Sequence, residues 1–266
     1  MHEYFIFPQI DPVIVHIYGP LAIRWYGLMY LIGFAAAFVL AKTRLHRTHL
    51  SKDQLSDMMF YSFMGVVVGG RVGNVLFYDF AHFMADPVYL FRVDQGGMSF
   101  HGGMLGVILA LWIFARKAKM PLLALGDFIA PLVPIGLGAG RIGNFINGEL
   151  WGRVTDVPWA MIFPHVDNLP RHPSQLYQAF TEGLVLFTLL WWYSSKPRPR
   201  GAVSGLFLLA YGILRFLVEY VREPEEQVRS LYGEWITQGQ ALCIPMIILG
   251  SYLMLRAYKK HNEASA

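Results

Sequence analysis

The sequence predicts an all-α, polytopic membrane protein with seven transmembrane helices, its N-terminus outside and its C-terminus in the cytoplasm. Three observations carry this expectation. Hydrophobic residues make up 55% of the 266 and charged residues only 15%, whereas soluble domains carry about 25% charge. Apolar runs of the ~20 residues needed to cross a ~30 Å hydrocarbon core recur along the chain. The basic residues gather in alternate loops between those runs, the asymmetry that sets membrane orientation.

The predicted spans are Leu21–Ala41, Met58–Tyr78, Met98–Ala115, Leu122–Gly140, Ser174–Tyr193, Ala202–Val221 and Gly239–Tyr258. Asp127, Pro131 and Pro134 interrupt the fourth, a pattern tolerated where neighbouring helices satisfy the freed backbone groups. The loops after the first, third and fifth spans hold Lys42, Arg44, Arg47, Lys52, Arg116, Lys117, Lys119, Lys196, Arg198 and Arg200. With Arg256, Lys259 and Lys260 of the tail, these make thirteen of the 22 basic residues on one side, the cytoplasmic one. The opposite loops hold Arg92, Arg153, Arg171, Arg222 and Arg229. This placement accounts for the net charge of +4 and argues against nucleic-acid binding.

No cleavable signal peptide is expected, since the first residues lack a basic stretch and include Pro8, Pro12 and Pro20. The whole chain, 1–266, reads as one membrane domain. Within it, 142–173 forms an outer, periplasmic loop longer than the ~12–15 residues beyond which loops are usually functional. A second outer loop, 222–238, is acidic through Glu223, Glu225, Glu226 and Glu234.

Four arginines remain for the spans: Arg24, Arg71, Arg141 and Arg215. Each costs about 2.5–3.5 kcal/mol at mid-bilayer on insertion scales and therefore needs a partner or a purpose. The helical rise places Arg71 and Arg215 about 20 Å from the cytoplasmic end of their spans. Together with Arg24, Tyr26, Arg141 and His101, they are expected to converge on the outer half of the membrane. In the sixth span Tyr211, Arg215, Glu219 and Arg222 recur at helical spacing and share a face. A structural ion pair is the plain reading of Arg215 and Glu219; an anionic headgroup gripped by Arg215 is the functional one.

The segment from Gly136 to Arg153 contains a GxGxxG pattern at Gly138, Gly140 and Gly143. A dinucleotide site would need a preceding strand and a βαβ unit, and a proline-broken span precedes it instead. The glycines are better read as close helix contacts and as backbone N–H groups exposed to an anion. Asn144, Asn147, Glu149 and Arg153 are then displayed at the outer surface, though a polar turn would look the same. Gly65, Gly69 and Gly73 in the second span, and Gly102 and Gly106 in the third, repeat the GxxxG packing spacing. Asp127 reads as structural, and Glu182 can bond within the bundle. Cys243, alone in an apolar span, offers neither disulfide nor nucleophile.

At these residues the chain resembles the prolipoprotein diacylglyceryl transferase family. The resemblance runs from His16-Ile-Tyr-Gly-Pro20 and Arg24-Trp-Tyr26-Gly27 through Phe100-His101-Gly-Gly103 to Arg171-His-Pro-Ser-Gln-Leu-Tyr177. Its signature is Gly140-Arg-Ile-Gly-Asn-Phe-Ile-Asn-Gly-Glu-Leu-Trp-Gly152, and Tyr211-Gly-Ile-Leu-Arg215-Phe-Leu-Val-Glu219 matches the C-terminal motif. It implies an enzyme of the bacterial cytoplasmic membrane that takes phosphatidylglycerol and the lipobox cysteine of a prolipoprotein signal peptide. The products implied are a thioether-linked precursor and sn-glycerol 1-phosphate. The functional residues it implies are Tyr26, His101, Arg141, Asn144, Glu149, Gly152, Arg215 and Glu219.

Chemically, a substrate that brings its own thiol explains the lack of a catalytic cysteine. A free thiol has a pKa of about 8.5 and attacks as thiolate, so a base is required. His101 is the first candidate and Glu219 the second. Arginine's fork suits phosphate, which assigns the leaving group to Arg141 and Arg215. Asn144, Glu149, Gly152, Tyr26 and Tyr211 complete the substrate contacts. No metal or cofactor is expected, and the chain is expected to act as a monomer among membrane lipids. A lipid transporter or another headgroup transferase is the alternative from the same residues.

Overall fold

The computed structural model describes residues 4–18, 21–92, 97–224 and 236–265. Pro20 and the acidic-loop residues Glu225, Glu226, Arg229 and Glu234 lie outside them. The architecture is largely helical. Four helices are long and apolar enough to cross a membrane: Trp25–Arg47, Lys52–Phe77, Phe100–Lys117 and Gln238–Glu263. Leu122–Ile129 and Val133–Ile146 form a fifth such stretch, bent by 52°, and Ala202–Val218 is a shorter apolar helix. Large apolar side chains on these helices face outward, among them Leu31, Phe60, Leu105, Leu109, Leu249 and Leu255. A helix meeting water would turn polar residues out; one meeting acyl chains need not.

The helical class expected from the sequence holds, with short strands beside the helices. Among the described residues these are β1 (Phe5–Ile6), β2 (Val13–Tyr18), β3 (Leu21–Arg24), β4 (Met161–Ile162) and β5 (Pro170–Arg171). β4 lies between β1 (parallel) and β5 (antiparallel), and β2 pairs with β3. Arg24 therefore ends a strand, exposed, before α1 (Trp25–Arg44) begins, and is not a buried cation of the first span.

The chain divides into two compact units. One comprises residues 18–21 and 40–125. Its centre is the pair α2 (Lys52–Phe77) and α4 (Phe100–Lys117), with α3 (Phe80–Ala85) between them in sequence. Ser51 caps α2 in a reciprocal box with Gln54, and Ser99 caps α4 by accepting from the Gly102 N–H at 3.2 Å. The two GxxxG runs, read from the sequence as packing surfaces, meet each other. A Cβ on Gly69 would fall 2.5 Å from the Gly102 carbonyl oxygen, and one on Gly73 would fall 2.6 Å from the Gly102 Cα.

Arg71 does not belong to an anion site here. Its Nε donates to the Leu90 carbonyl at 3.0 Å, Nη1 to Gly97 at 3.3 Å, and Nη2 to Tyr89, whose ring lies 4.6 Å below the guanidinium. The carbonyls at the C-terminal end of the 3-10 helix Pro87–Phe91 carry the negative end of its dipole. They offset part of the guanidinium charge.

The other unit comprises residues 1–17, 22–39 and 126–266. The fourth apolar stretch is two helices, α5 (Leu122–Ile129) and α6 (Val133–Ile146), because Pro131 and Pro134 each remove a backbone donor at the break. α6 runs to Ile146, so the loop expected from Ile142 starts only at Asn147. The fifth stretch is one continuous helical path: α7 (Ser174–Gln178), a π-helical segment Ala179–Val185, and α8 (Leu186–Tyr193). Gly183 of that segment meets Gly138 of α6 closely; a Cβ on Gly138 would lie 3.1 Å from the Gly183 Cα. Leu186, Leu190, Val203 and Ala210 build the core between α8 and α9 (Ala202–Val218). Asp127 caps α9 from another helix, accepting from the Gly201 and Ser204 N–H groups at 2.6 and 2.8 Å. The last helix, α10 (Gln238–Ser265), packs along α9, with Gly205 against Gly250.

Replacing Gly69 by Val must push α2 and α4 apart. The expected cost is about 1–3 kcal/mol, read as a lower thermal midpoint in detergent; an unchanged midpoint would show that the glycine contact is not tight.

Candidate active site

Three elements of the larger unit bring five charged side chains into one line. α6 carries Arg141, the π-helical segment carries Glu182, and α9 carries Arg215, with Glu219 at its C-cap and Arg222 beyond. Arg141 Nε donates to Glu182 Oε2 at 3.3 Å, and Arg215 Nη1 to Glu182 Oε1 at 3.4 Å. Arg215 Nη2 reaches Glu219 Oε2 at 3.2 Å, and Arg222 Nε reaches the same oxygen at 3.0 Å. Thr237 Oγ1 donates to Glu219 Oε1 at 3.1 Å. Glu182 and Glu219 are wholly buried, and the three arginines are partly buried. An isolated buried ion would cost several kcal/mol, so alternation of sign is what permits the row to exist.

Among the described residues the row has three cations and two anions, leaving one positive charge in excess. The excess is local. Arg141 meets Glu182 through Nε alone, and its two terminal amino groups have no acceptor among the described residues. Its side chain is 19% exposed. Tyr26 packs its ring on Gly143, two residues past Arg141, and shares a hydrogen bond with Tyr30 at 3.2 Å. Tyr211 stacks on Phe207 at 5.9 Å, on the same helix as Arg215.

Beyond α6 the chain turns sharply, with φ of +67° at Gly148 and +59° at Leu150. That turn aims the Glu149 carboxylate back at α6. Its Oε1 accepts from Asn144 Nδ2 at 3.1 Å and from Asn147 Nδ2 at 3.0 Å. Ser174 Oγ donates to the Leu150 carbonyl at 2.7 Å, and Gln175 Nε2 to the Glu149 carbonyl at 2.6 Å. The turn is thus stitched to the start of α7.

Gly152 sits between two backbones, donating its N–H to the His172 carbonyl at 2.9 Å. A Cβ there would lie 2.5 Å from the His172 oxygen and 2.6 Å from the Val221 oxygen. Arg171 braces the same crossing, donating to the Gly152 carbonyl at 3.2 Å and pairing with Asp167 at 2.6 Å and Glu223 at 3.5 Å. The Arg171 guanidinium holds the Asp167 carboxyl below the usual carboxylate range, and burial lowers the His172 imidazole. His101 belongs to the other unit, on the first turn of α4, exposed and edge-on to Phe100 at 5.7 Å. Among the described residues, no three His, Cys, Asp or Glu side chains are grouped to hold a metal ion.

Comparison with known proteins settles the lineage. The sequence profile of the family described as prolipoprotein diacylglyceryl transferase matches residues 12–256. The chain belongs to the prolipoprotein diacylglyceryl transferase family. A phosphatidylglycerol--prolipoprotein diacylglyceryl transferase of Pseudoalteromonas atlantica (strain T6c / ATCC BAA-1087) is 63% identical over 265 residues, covering 98% of this chain and 94% of that protein. Those of the same name from Pseudoalteromonas translucida (strain TAC 125) and Vibrio cholerae serotype O1 (strain M66-2) are 58% and 59% identical. They cover 98% and 97% of this chain, and 97% and 95% of their own lengths.

Within this family member, the sequence-derived residues Tyr26, Arg141, Asn144, Glu149, Gly152, Tyr211, Arg215 and Glu219 all fall in one unit. The expected Arg215–Glu219 pair forms, but the link between Arg141 and Arg215 is Glu182. Its spacing hinted at a bundle bond without showing that two arginines share it. Arg222, placed on the same helix face by its spacing, does pair with Glu219, whereas Thr237 as a partner of Glu219 was missed, because nothing local couples positions so far apart. Gln175 and Gln178 were missed too, although Gln175, Gln178 and Glu182 form a polar stripe at i, i+3 and i+7 in an apolar span.

Glu182→Gln keeps the shape but leaves two buried guanidiniums without a shared anion. Loss of one partner of a buried pair costs about 3–5 kcal/mol, expected as a marked drop in the thermal midpoint of purified protein. An unshifted midpoint would mean that the arginines draw their compensation elsewhere.

Proposed function

We propose that this chain transfers the diacylglyceryl group of phosphatidylglycerol to the cysteine thiol of a prolipoprotein signal peptide, forming a thioether and releasing sn-glycerol 1-phosphate. The relatives' names give the reaction, and one geometric observation supports it in this chain. Arg141 is tethered by Nε to a buried carboxylate, and its terminal fork has no acceptor among the described residues. A fork fixed in that way suits two oxygens of a phosphate, which takes up the excess positive charge of the row.

The thiolate sulfur attacks the glyceryl carbon that bears the phosphodiester. The S–C bond forms as the C–O bond breaks, and glycerol phosphate leaves with the electron pair. Arg141 and Arg215 offset the charge gathering on that leaving group as an anionic sulfur approaches. Asn144 and Glu149 orient the headgroup, Tyr26 and Tyr211 shape the approach, and Gly152 holds the crossing behind them. The thiol proton goes to a base. Glu219 already accepts from Arg215, Arg222 and Thr237. The imidazole of His101 carries no such load among the described residues, and imidazole is a common general base near neutral pH. His101 is therefore our assignment.

The apolar helices support a place in the bacterial cytoplasmic membrane. We assign seven spans, reading α5–α6, α7–α8 and α9 as the three beyond the four long helices, with the N-terminus outside and the C-terminus cytoplasmic. This orientation puts the charged row toward the outer leaflet, where the signal peptide's cysteine emerges. The chain acts as a monomer in this reading.

The decisive measurement is incubation of purified protein with phosphatidylglycerol and a lipobox peptide, followed by mass spectrometry. A thioether-linked diacylglyceryl adduct is expected, and none when the peptide cysteine is serine; release of glycerol phosphate without adduct would overturn the reading. Arg141→Ala is expected to lower turnover about 10²–10³-fold with membrane insertion intact, and full activity would remove the phosphate grip. His101→Gln is expected to cost about 10²–10⁴-fold near neutral pH; near-normal turnover would transfer the role of base to Glu219.

A further inference from the structure

Four buried side-chain atoms have no hydrogen-bond partner among the described residues: Asn147 Oδ1, Gln175 Oε1, and both Oε1 and Nε2 of Gln178. Buried polar atoms are nearly always paired, so each exception calls for an explanation. These four lie in one place. Asn147 and Gln175 both bond Glu149, one through its carboxylate and one through its carbonyl. Gln178 follows Gln175 by one turn and precedes Glu182 by another, so the three share a helix face. All three are wholly buried.

That face runs from the Glu149 turn at one end to the Arg141–Glu182–Arg215 junction at the other. The rise of about 1.5 Å per residue makes it roughly 10 Å long. The π-helical segment begins immediately after Gln178 and carries Glu182, a distortion often found at functional sites.

The chemistry of the four atoms is specific. The amide orientations of Asn147 and Gln175 are fixed, since each must present its NH2 to an acceptor on Glu149. What remains is three acceptors and one donor. A ligand that satisfies them brings hydroxyl hydrogens, and it brings them beside a phosphate site. We propose that Gln178, with Gln175 and Asn147, reads the two hydroxyls of a glycerol headgroup whose phosphate lies on Arg141 and Arg215. This rests on the phosphatidylglycerol reading above and adds the residues that select this headgroup from other anionic lipids.

A structural glutamine and a ligand-reading one respond oppositely to Gln178→Met. Exchanging an unpartnered buried amide for an apolar group of the same shape is neutral or stabilising, so the thermal midpoint of lipid-free protein should hold or rise. Recognition should suffer. Native mass spectrometry of the purified full chain with phosphatidylglycerol and with phosphatidylpropanol, which lacks both hydroxyls, reads binding without chemistry. Wild type is expected to prefer phosphatidylglycerol at least about tenfold, and Gln178→Met to bring the ratio close to one.

An unchanged ratio in the variant, an undiscriminating wild type, or a preference for phosphatidylethanolamine would overturn the proposal. If Gln178→Met does not fold, the same ratio is read on Gln178→Asn, whose shortened amide withdraws from the ligand. The thioether assay on the same preparations separates the two claims. Transfer without headgroup discrimination sinks only this inference; discrimination without transfer sinks only the reaction.

Discussion

Glu182 is shared by Arg141 and Arg215, and much of the larger unit exists to make that sharing possible. A carboxylate with no exposure, in a segment otherwise apolar, is tolerable only with cations on it; two guanidiniums from different helices satisfy it more fully than one. The same contact solves the converse problem for α6 and α9, each of which carries an arginine into an apolar setting. The helices are thereby tied by charge as well as by packing. The packing agrees with the tie: Gly138 and Gly183 let α6 approach the π-helical segment closely, and Asp127 anchors the far end of α9.

The row is not neutral, and that imbalance is what links architecture to chemistry. Structural ion networks usually balance, because residual charge in a poorly solvated place is costly. Here one guanidinium fork is left over beside a turn full of amides and a carboxylate. An anionic ligand is the natural complement, and the stability given up without it is recovered on binding. Such local deficits are characteristic of sites rather than of cores.

The glycines divide between two duties. On α2 and α4 they shorten the distance between helices, a role their GxxxG spacing announced. Gly152 serves the protein's own crossing of segments around His172 and Val221, so its importance in the signature need not imply contact with substrate. Arg71 teaches a similar lesson. Its cost as a span arginine was legible, but its partners include the Leu90 and Tyr89 carbonyls near the end of a short helix, and no sequence pattern marks those as a counterion.

The sequence by itself determined the helical membrane class and the family, and it nominated most of the candidate site residues. Each of these follows from local quantities: run length, composition, spacing and motif. It placed Arg215 with Glu219 because four residues make one turn. Only the tertiary structure decided that α5 and α6 are separate helices meeting at 52°, that Arg24 ends a strand, and that β1, β4 and β5 form a small sheet. It alone showed Arg141, Glu182 and Arg215 as one unit, with Glu219 held by Arg222 and Thr237. The physical reason is range. A backbone turn couples neighbours a few residues apart, whereas a buried charge finds its partner wherever packing brings an opposite one.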